Sequence, residues 1–255
     1  MLRSYLFKLL HSSFLYAGMI GVFGLCLLGA NDSLDGIKGF GGYDVYTDMN
    51  LMLEMKGYRK AFIVFGAIPF AANFADEWNS KTITNCVSRK NASCYAVSNI
   101  MACFMSALVT VFIPLVIFAA FSSCFKIFLD TDHTDPHIAY SEFAEIGLPF
   151  LSTVFYFLTF ALSCAMWAVM GMTLSAFFPS KYIALGAPFI FSHVIERLTV
   201  RLPYQFDLMG LSMSYFDFPV PWSIGYPVLI FGGLSAVCGI FFVIKVKKKV
   251  QNELS

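Results

Sequence analysis

The chain has 255 residues, of which 58% are hydrophobic and only 13% are charged. Its mean hydropathy is +0.71. Soluble domains carry about 25% charged residues, so the usual water-exposed surface is hard to build from this composition. The composition argues against a soluble enzyme, a nucleic-acid-binding protein and a disordered chain, and it predicts an integral membrane protein.

The N-terminal segment, residues 1–11, is amphipathic. Four leucines fall on one helical face, and Arg3 and Lys8 lie elsewhere. Such a segment lies in the plane of the membrane interface and turns into the span that follows it. We therefore predict an interfacial elbow helix before the first span, with a plain continuation of that span as the alternative.

Six apolar stretches approach the roughly 20 residues that a membrane-spanning helix needs. Lipid cannot satisfy exposed backbone groups, so all six are predicted to be helices of an all-α membrane protein. The predicted spans, which form a single transmembrane domain over residues 1–255, are 13–30, 61–75, 95–121, 148–178, 182–195 and 224–244. The second is short, because fifteen residues reach only about 22 Å across a hydrocarbon core of about 30 Å.

The fifth span is predicted to break near its end. It contains Gly186 and Pro188, and an amphipathic stretch with three prolines follows it at residues 198–222. This pattern indicates a broken or re-entrant segment between spans five and six, covered by protein rather than lipid. Ionisable residues near membrane depth are candidates for function, and here we expect a local ion pair that lets the helix break. The candidates are His193, Glu196 and Arg197.

The distribution of charge predicts the orientation. With six spans and both termini in the cytoplasm, the inner side carries ten basic and three acidic residues, and the outer side seven basic and thirteen acidic. Basic residues are retained on the cytoplasmic side during insertion. We therefore predict a multi-pass protein of the plasma membrane with both termini in the cytoplasm.

No metal site is predicted. The chain has seven cysteines. The number is odd, no CxxC pair occurs, and most lie inside apolar runs, where cysteine packs as a small hydrophobe. The outer segment 130–137 reads DTDHTDPH. Its aspartates and histidines can bind a divalent cation, but a solvated acidic loop is the favoured interpretation.

The loop between the second and third spans carries the most informative pattern. Asp76 and Glu77 lie where the second span leaves the membrane, and Trp78 follows at headgroup level. An apolar stripe and a basic turn come next, which together predict a short amphipathic helix at the cytoplasmic surface. A helix of this kind can dock into a groove of a soluble partner, and an ordinary interfacial loop is the alternative.

These residues resemble the permease subunits of ABC transporters of the type-2 exporter class. In that family an acidic residue ends the second span and a Gly-Thr-like pair follows about four positions on. Then come Ser-Arg, an aromatic residue, and Ser-Lys or Ser-Asn opening the third span. The matching residues here are Glu77, Lys81, Thr82, Ile83, Asn85, Ser88, Arg89, Tyr95, Ser98 and Asn99. Lys81 departs from the pattern, because Gly is usual there.

The resemblance implies that residues 80–90 form a coupling helix seated on a separate ATP-binding-cassette ATPase subunit, present in two copies. The coupling residues would be Asp76, Glu77, Lys81, Thr82, Ile83, Ser88, Arg89 and Lys90. A second permease chain, identical or homologous, would complete the pathway, lined by the first, second and fifth spans. The outer gate would include His193, Glu196 and Arg197.

The chain itself is expected to carry no cofactor and no catalytic residue. It lacks GxxxxGK[ST] and GxGxxG, so ATP and magnesium would be bound by the partner ATPase. It also lacks GxSxG and HExxH, which argues against an intramembrane hydrolase. The predicted function is export of a hydrophobic or amphipathic substrate, such as a peptide, a lipid or a drug-like molecule. A gradient-driven secondary transporter and a non-transporting membrane factor are the alternatives, and no nucleic-acid partner is expected.

Overall fold

Helices form all the regular secondary structure in the part of the chain that the computed structural model describes. That part comprises residues 2–37, 45, 53, 57–83, 87, 91–124, 140, 143, 146–214 and 222–254. Its helices are α1 (Leu2–Leu10), α2 (Ser13–Ile37), α3 (Arg59–Ala67), α4 (Asn73–Asn79), α5 (Ala92–Ser122), α6 (Pro149–Phe177), α7 (Lys181–Thr199), α8 (Leu208–Ser212) and α9 (Trp222–Leu254). A 3₁₀ turn, Tyr204–Phe206, precedes α8.

Three of these helices, α5, α6 and α9, are long and apolar enough to cross a membrane. They coincide with the third, fourth and sixth predicted spans. In α2, residues Ser13–Gly29 form a shorter apolar helix. The chain therefore has the character of an all-helical membrane protein, and the count of six spans stays a prediction.

The second predicted span consists of α3 and α4, joined by a turn at residues 68–72 that contains Pro69. Proline has no backbone N–H and interrupts a helix at this point. Backbone hydrogen bonds nevertheless continue through the turn, from Ala71 N to Ala67 O at 3.0 Å and from Asn73 N to Phe70 O at 3.0 Å. Residues 59–79 therefore form one nearly continuous rod of about 30 Å, which is longer than the predicted fifteen residues allow.

Helix α6 lies at the centre of the bundle and packs against α3, α5, α7 and α9. Its side chains form much of the core, and Tyr156, Phe157, Phe160 and Trp167 are almost completely buried. Helices α5 and α9 bury one face on α6 and leave another apolar face exposed, as expected of helices that meet lipid. Burial of such large aromatic side chains fixes the position of α6 against the helices around it. Helix α6 therefore positions the residues at both ends of the bundle.

Helix α7 does not break where the sequence predicts. It passes through Gly186 and Pro188 and continues to Thr199, with Val200 N donating to Glu196 O at 3.0 Å. The proline is accommodated because α6 has a glycine opposite it: a Cβ on Gly171 would lie 2.6 Å from Pro188 Cγ. The chain then turns through the 3₁₀ segment into α8. The helix therefore ends at Thr199, about one turn beyond the predicted end of the fifth span at residue 195.

The C-terminal helix α9 extends beyond the predicted sixth span. Its 33 residues reach about 50 Å, against a hydrocarbon core of about 30 Å. In the extension, Val246 and Val250 are buried. Lys249 Nζ lies 4.7 Å from the centre of the Trp78 ring. The last turns of α9 thus pack beside the segment that follows the second predicted span.

Candidate functional site

A buried carboxylate organises the end of the bundle that the sequence assigns to the cytoplasm. Glu77, on α4, is 11% exposed. Its Oε2 accepts hydrogen bonds from the Tyr95 hydroxyl at 2.6 Å and from the Tyr5 hydroxyl at 3.3 Å. Lys8 Nζ lies 3.9 Å from Glu77 Oε1. One carboxylate therefore holds α1, α4 and the first turn of α5 together.

Asn99 extends these contacts into the bundle and is completely buried. Its Oδ1 accepts from Asn73 Nδ2 at 2.9 Å. Its Nδ2 donates to the Tyr5 hydroxyl and to the Tyr95 carbonyl, each at 3.3 Å. We refer to this set as the inner network: Tyr5, Lys8, Asn73, Glu77, Tyr95 and Asn99. Because most of its members are satisfied by each other, it fixes the relative positions of three helices.

Replacing Asn99 by Ala is expected to destabilise the protein by about 1–3 kcal/mol, because the Asn73 amide loses its buried acceptor and Tyr5 loses a donor. Unfolding of the purified chain in detergent micelles, followed by circular dichroism, measures the change. Asn91→Ala is the matched control, since Asn91 is exposed and its side chain makes no cap hydrogen bond. Equal effects of the two substitutions would show that the inner network does not stabilise the bundle.

The segment after α4 begins with a tight turn. Ser80 Oγ donates to Asp76 O at 2.7 Å, and Thr82 Oγ1 lies 2.7 Å from Ser80 Oγ. Lys81 has φ of +57°, in the left-handed region that glycine occupies without strain. Thr82 and Ile83 are helical. Of the predicted helix 80–90, the structure describes residues 80–83 and 87, so the helix as a whole stays a prediction. Lys81 occupies the position where Gly is usual in the resembled family.

Two weaker contacts join this end to α7. Lys181 Nζ lies 2.7 Å from Asp76 Oδ1, in an exposed pair of the kind that contributes little to stability. Asn79 Nδ2 donates to Pro179 O at 3.3 Å. The predicted coupling residues that cluster here are Asp76, Glu77, Lys81, Thr82 and Ile83. Ser88, Arg89 and Lys90 lie outside the described residues.

A groove of about 750 Å³ opens at the same end, between α1–α2, α4 and α7. Its charged lining residues are Lys8, Asp76, Glu77 and Lys181. Its apolar lining residues include Leu9, Phe14, Ile68, Pro69, Phe70 and Leu185. The groove therefore offers both charged and apolar contacts, which suits an amphipathic molecule.

The second cluster lies at the opposite end and is centred on Glu196, whose side chain is 3% exposed. Its Oε2 accepts from both Arg59 and Lys60, at the start of α3. Arg59 Nη1 donates to Ser212 Oγ at 2.8 Å, and Lys60 Nζ donates to Ser192 Oγ at 3.2 Å. We call these five residues the outer cluster. It ties α3 to α7 and α8.

The outer cluster corrects a second expectation. We expected Glu196 to pair locally on its own helix, but both of its partners come from α3. Glu196 is on the buried face of α7, whereas His193 and Arg197 are exposed. The carboxylate therefore points at α3 and away from Arg197. Arg59 and Lys60 were not among the predicted site residues, since nothing local in the sequence names their partner.

All three predicted gate residues line one small cavity of about 180 Å³ beside the outer cluster. The remaining lining residues are Leu53, Gly57, Arg59, Lys60, Val200 and Met209. His193, Glu196 and Arg197 thus line one space, and their role as a gate stays a prediction. The structure adds two cationic side chains that the sequence analysis left out.

Tyr140 is a further buried polar residue, and it lies in the sequence between the third and fourth predicted spans. Its hydroxyl lies 2.7 Å from Thr159 Oγ1 and donates to Ser223 O at 3.1 Å. Burial raises the pKa of Tyr140 to about 12, while the hydrogen bond to Thr159 acts in the opposite direction. Tyr140 is therefore neutral at physiological pH, and it links α6 to the start of α9.

No group of three or more metal-ligating side chains occurs within the described residues. The candidate segment 130–137 lies outside them. Comparison with family models, with curated proteins and with solved structures gives no match for this chain. The two clusters, and the groove beside the inner network, are therefore the basis on which its function is argued.

Proposed function

We propose that this chain is the membrane-spanning subunit of an ATP-driven exporter, which moves a hydrophobic or amphipathic substrate out of the cytoplasm. It would lie in the plasma membrane with both termini inside and pair with a second permease chain. Two copies of a separate ATPase would bind and hydrolyse ATP. The observation that carries the proposal is the Glu77-centred inner network, which connects the loop after α4 to three helices.

The inner network supports a role for this loop in coupling. Thr82 Oγ1 lies 3.3 Å from the Glu77 carbonyl, and Ile83 is 2% exposed. A force applied to the loop by a partner would therefore reach α4 through the backbone of Glu77. It would reach α1 and α5 through the carboxylate. Because Tyr5, Tyr95 and Asn99 are buried and hydrogen-bonded within the network, it would move as a unit rather than deform.

The groove supports an amphipathic substrate. It lies among α2, α4 and α7, which correspond to the first, second and fifth predicted spans. The resemblance to type-2 permeases assigns the pathway to these same spans. A substrate entering from the predicted cytoplasmic side would place its polar part near Asp76 and Lys181, and its apolar part against Phe14 and Phe70.

The outer cluster supports a gate at the far end of this pathway. Glu196 holds α7 to α3, so the outer ends of the second and fifth predicted spans are closed against each other. Opening would require two cations to leave one buried carboxylate, which is costly unless other groups replace them. A closed outer end and an open inner groove fit a resting, inward-facing subunit.

The test is purification of the chain from its native membrane in a mild detergent, followed by mass spectrometry and an ATPase assay. We expect a stoichiometric partner with a GxxxxGK[ST] motif. Glu77→Ala and Arg89→Ala should lower substrate-stimulated ATPase activity severalfold while the complex still assembles. Arg201→Gln is the control, since Arg201 is exposed and lies at the opposite end.

Recovery of the chain alone, without nucleotide-dependent activity, would contradict the exporter proposal and favour the gradient-driven or non-transporting alternatives. Full coupling in both variants would leave the exporter intact but refute the role of the loop. The two outcomes are therefore separable in one set of preparations.

A further inference from the structure

We propose that a groove between α5 and α9 binds one anionic phospholipid, with an acyl chain along the groove and the phosphate beside two lysines at its end. The proposal is independent of export and of ATP coupling. It rests on the apolar lining of the groove, on the division of the C-terminal lysines between two faces of α9, and on the helical register that places two of them in line with the groove.

The groove has a volume of about 380 Å³, and every described residue that lines it is apolar. The two helices approach closely at Gly239, where a Cβ would lie 3.3 Å from Ile100 Cδ1. The exposed side chains along the groove are Val97 and Met101 of α5 and Ala236, Ile240 and Ile244 of α9. Because these side chains offer no hydrogen-bond partner, the groove suits a hydrocarbon chain rather than a polar ligand.

The four lysines near the C-terminal end of α9 divide between two faces of the helix. Lys245 Nζ and Lys249 Nζ each lie over an aromatic ring of the bundle, at 4.8 and 4.7 Å from its centre. These two side chains are held against the protein by cation–π contacts. Lys247 and Lys248 are exposed, and neither forms an ion pair within the described part of the chain. The second pair is therefore open to an anion outside the protein.

Helical register places this second pair in line with the groove. Lys247 follows Val243 by four residues, and Lys248 follows Ile244 by four, and both apolar residues line the groove. Residues four apart share a helix face, and side chains lean toward the helix N-terminus, which is here the direction of the groove. The predicted sixth span ends at residue 244, so both lysines lie about 5 Å further along the axis, at the level of lipid headgroups.

An anionic phospholipid matches both parts of this surface. Its acyl chain fills the apolar groove, and its phosphate accepts charge-assisted hydrogen bonds from the lysine ammonium groups. Basic side chains near the membrane surface each add attraction for a negatively charged headgroup. Phosphatidylcholine carries the same phosphate, but its positively charged choline reduces this attraction. An acidic soluble protein would contact the lysines without using the groove, which lies at the depth of the hydrocarbon.

The first experiment compares two lipids that differ in headgroup charge. The full chain is purified in a non-ionic detergent and titrated with phosphatidylglycerol or phosphatidylcholine of identical acyl chains, and native mass spectrometry counts the bound lipids. We expect one phosphatidylglycerol per chain, bound about thirtyfold more tightly than phosphatidylcholine, because two lysines act on its net charge. Equal affinities of the two lipids would overturn the proposal.

Lysine variants test the headgroup contact. Lys247→Gln should weaken phosphatidylglycerol binding about fivefold, and the double variant with Lys248→Gln about thirtyfold. Lys181→Gln is the matched control, since it removes an exposed lysine at the same end of the bundle that does not line the groove. It should leave the affinity unchanged. An equal loss in Lys247→Gln and Lys181→Gln would show that only overall charge attracts the lipid, which contradicts a defined site.

A pair of phenylalanine variants tests the acyl-chain contact. Ala236→Phe fills part of the groove from an exposed position and should weaken phosphatidylglycerol binding at least about fivefold. Val237→Phe places the same ring at an exposed neighbouring position that does not line the groove, and it should keep the affinity. Equal affinities of the two variants, or displacement of the lipid by glycerol 3-phosphate, would contradict the assignment of the groove. Dissociation of a dimer by Ala236→Phe, without loss of lipid, would assign the groove to a second copy of the chain and overturn the proposal.

Discussion

Replacing Glu196 by Ala is expected to destabilise the protein by about 3–5 kcal/mol, because it leaves two cations without their shared counter-ion. Arg59 is 5% exposed and cannot turn to water without moving α3. The free energy of unfolding, measured by reversible denaturation in mixed micelles, reports the change. Arg201→Ala, at an exposed position, should shift it by no more than about 0.5 kcal/mol.

A double substitution separates the loss of the pair from the loss of packing. Arg59→Met with Glu196→Met removes the charges of Arg59 and Glu196 and keeps the volume. Lys60 loses its counter-ion but is 18% exposed and can reach water, so the double variant should recover part of the stability lost in Glu196→Ala. Buried ion pairs replaced by apolar residues of similar size are often close to neutral. If Glu196→Ala and the double variant unfold alike, or if Glu196→Ala costs under about 1 kcal/mol, the outer cluster does not hold α3 to α7.

Replacing Gly171 by Ala is expected to cost about 1–3 kcal/mol, and Gly171→Leu more, because α6 and α7 cross in close contact there. A Cβ at this position would lie 2.4 Å from the Ala184 carbonyl oxygen and 2.6 Å from Pro188 Cγ. The first of these is backbone and cannot yield without displacing α7. Thermal unfolding of the purified variants measures the effect.

Gly186 on α7 provides the matched control. A Cβ there meets nothing within 4 Å, so Gly186→Ala should be neutral or more stable by up to about 1 kcal/mol, from helix propensity alone. A Gly171→Ala variant as stable as Gly186→Ala would mean that the two helices do not touch at this point. A displaced α7 also carries Glu196 with it, so Gly171→Leu should weaken the outer cluster.

The two clusters lie at opposite ends of two neighbouring helical segments, residues 59–79 and α7. The residue 59–79 rod carries Arg59 and Lys60 at one end and Glu77 at the other, and α7 runs beside it from Lys181 to Glu196. Movement of the rod at the inner network would therefore act on the outer cluster about 30 Å away. This arrangement is the physical basis for expecting the loop after α4 to influence the proposed gate.

Local patterns were enough to predict several elements. The helix starts near Ser13, Pro149 and Lys181 fall within a few residues of the predicted spans, because a run of apolar side chains specifies a buried or lipid-facing helix without knowledge of its partners. Glu77 was selected from its position at the end of a span. Its partner Tyr5 was not predicted, since it lies 72 residues away in sequence and belongs to no motif that contains Glu77.

The amino acids by themselves therefore determined an all-helical membrane protein, the loop after the second predicted span as a polar element, and His193, Glu196 and Arg197 as a group. These features follow from composition and from spacing along one chain segment. Only the tertiary structure decided that Glu196 pairs with Arg59, 137 residues earlier, instead of with its neighbour Arg197. The reason is the orientation of α7 about its own axis, which buries the face that carries Glu196. Gly171 lets α7 approach α6 closely, and this close approach holds the Glu196 face against α3.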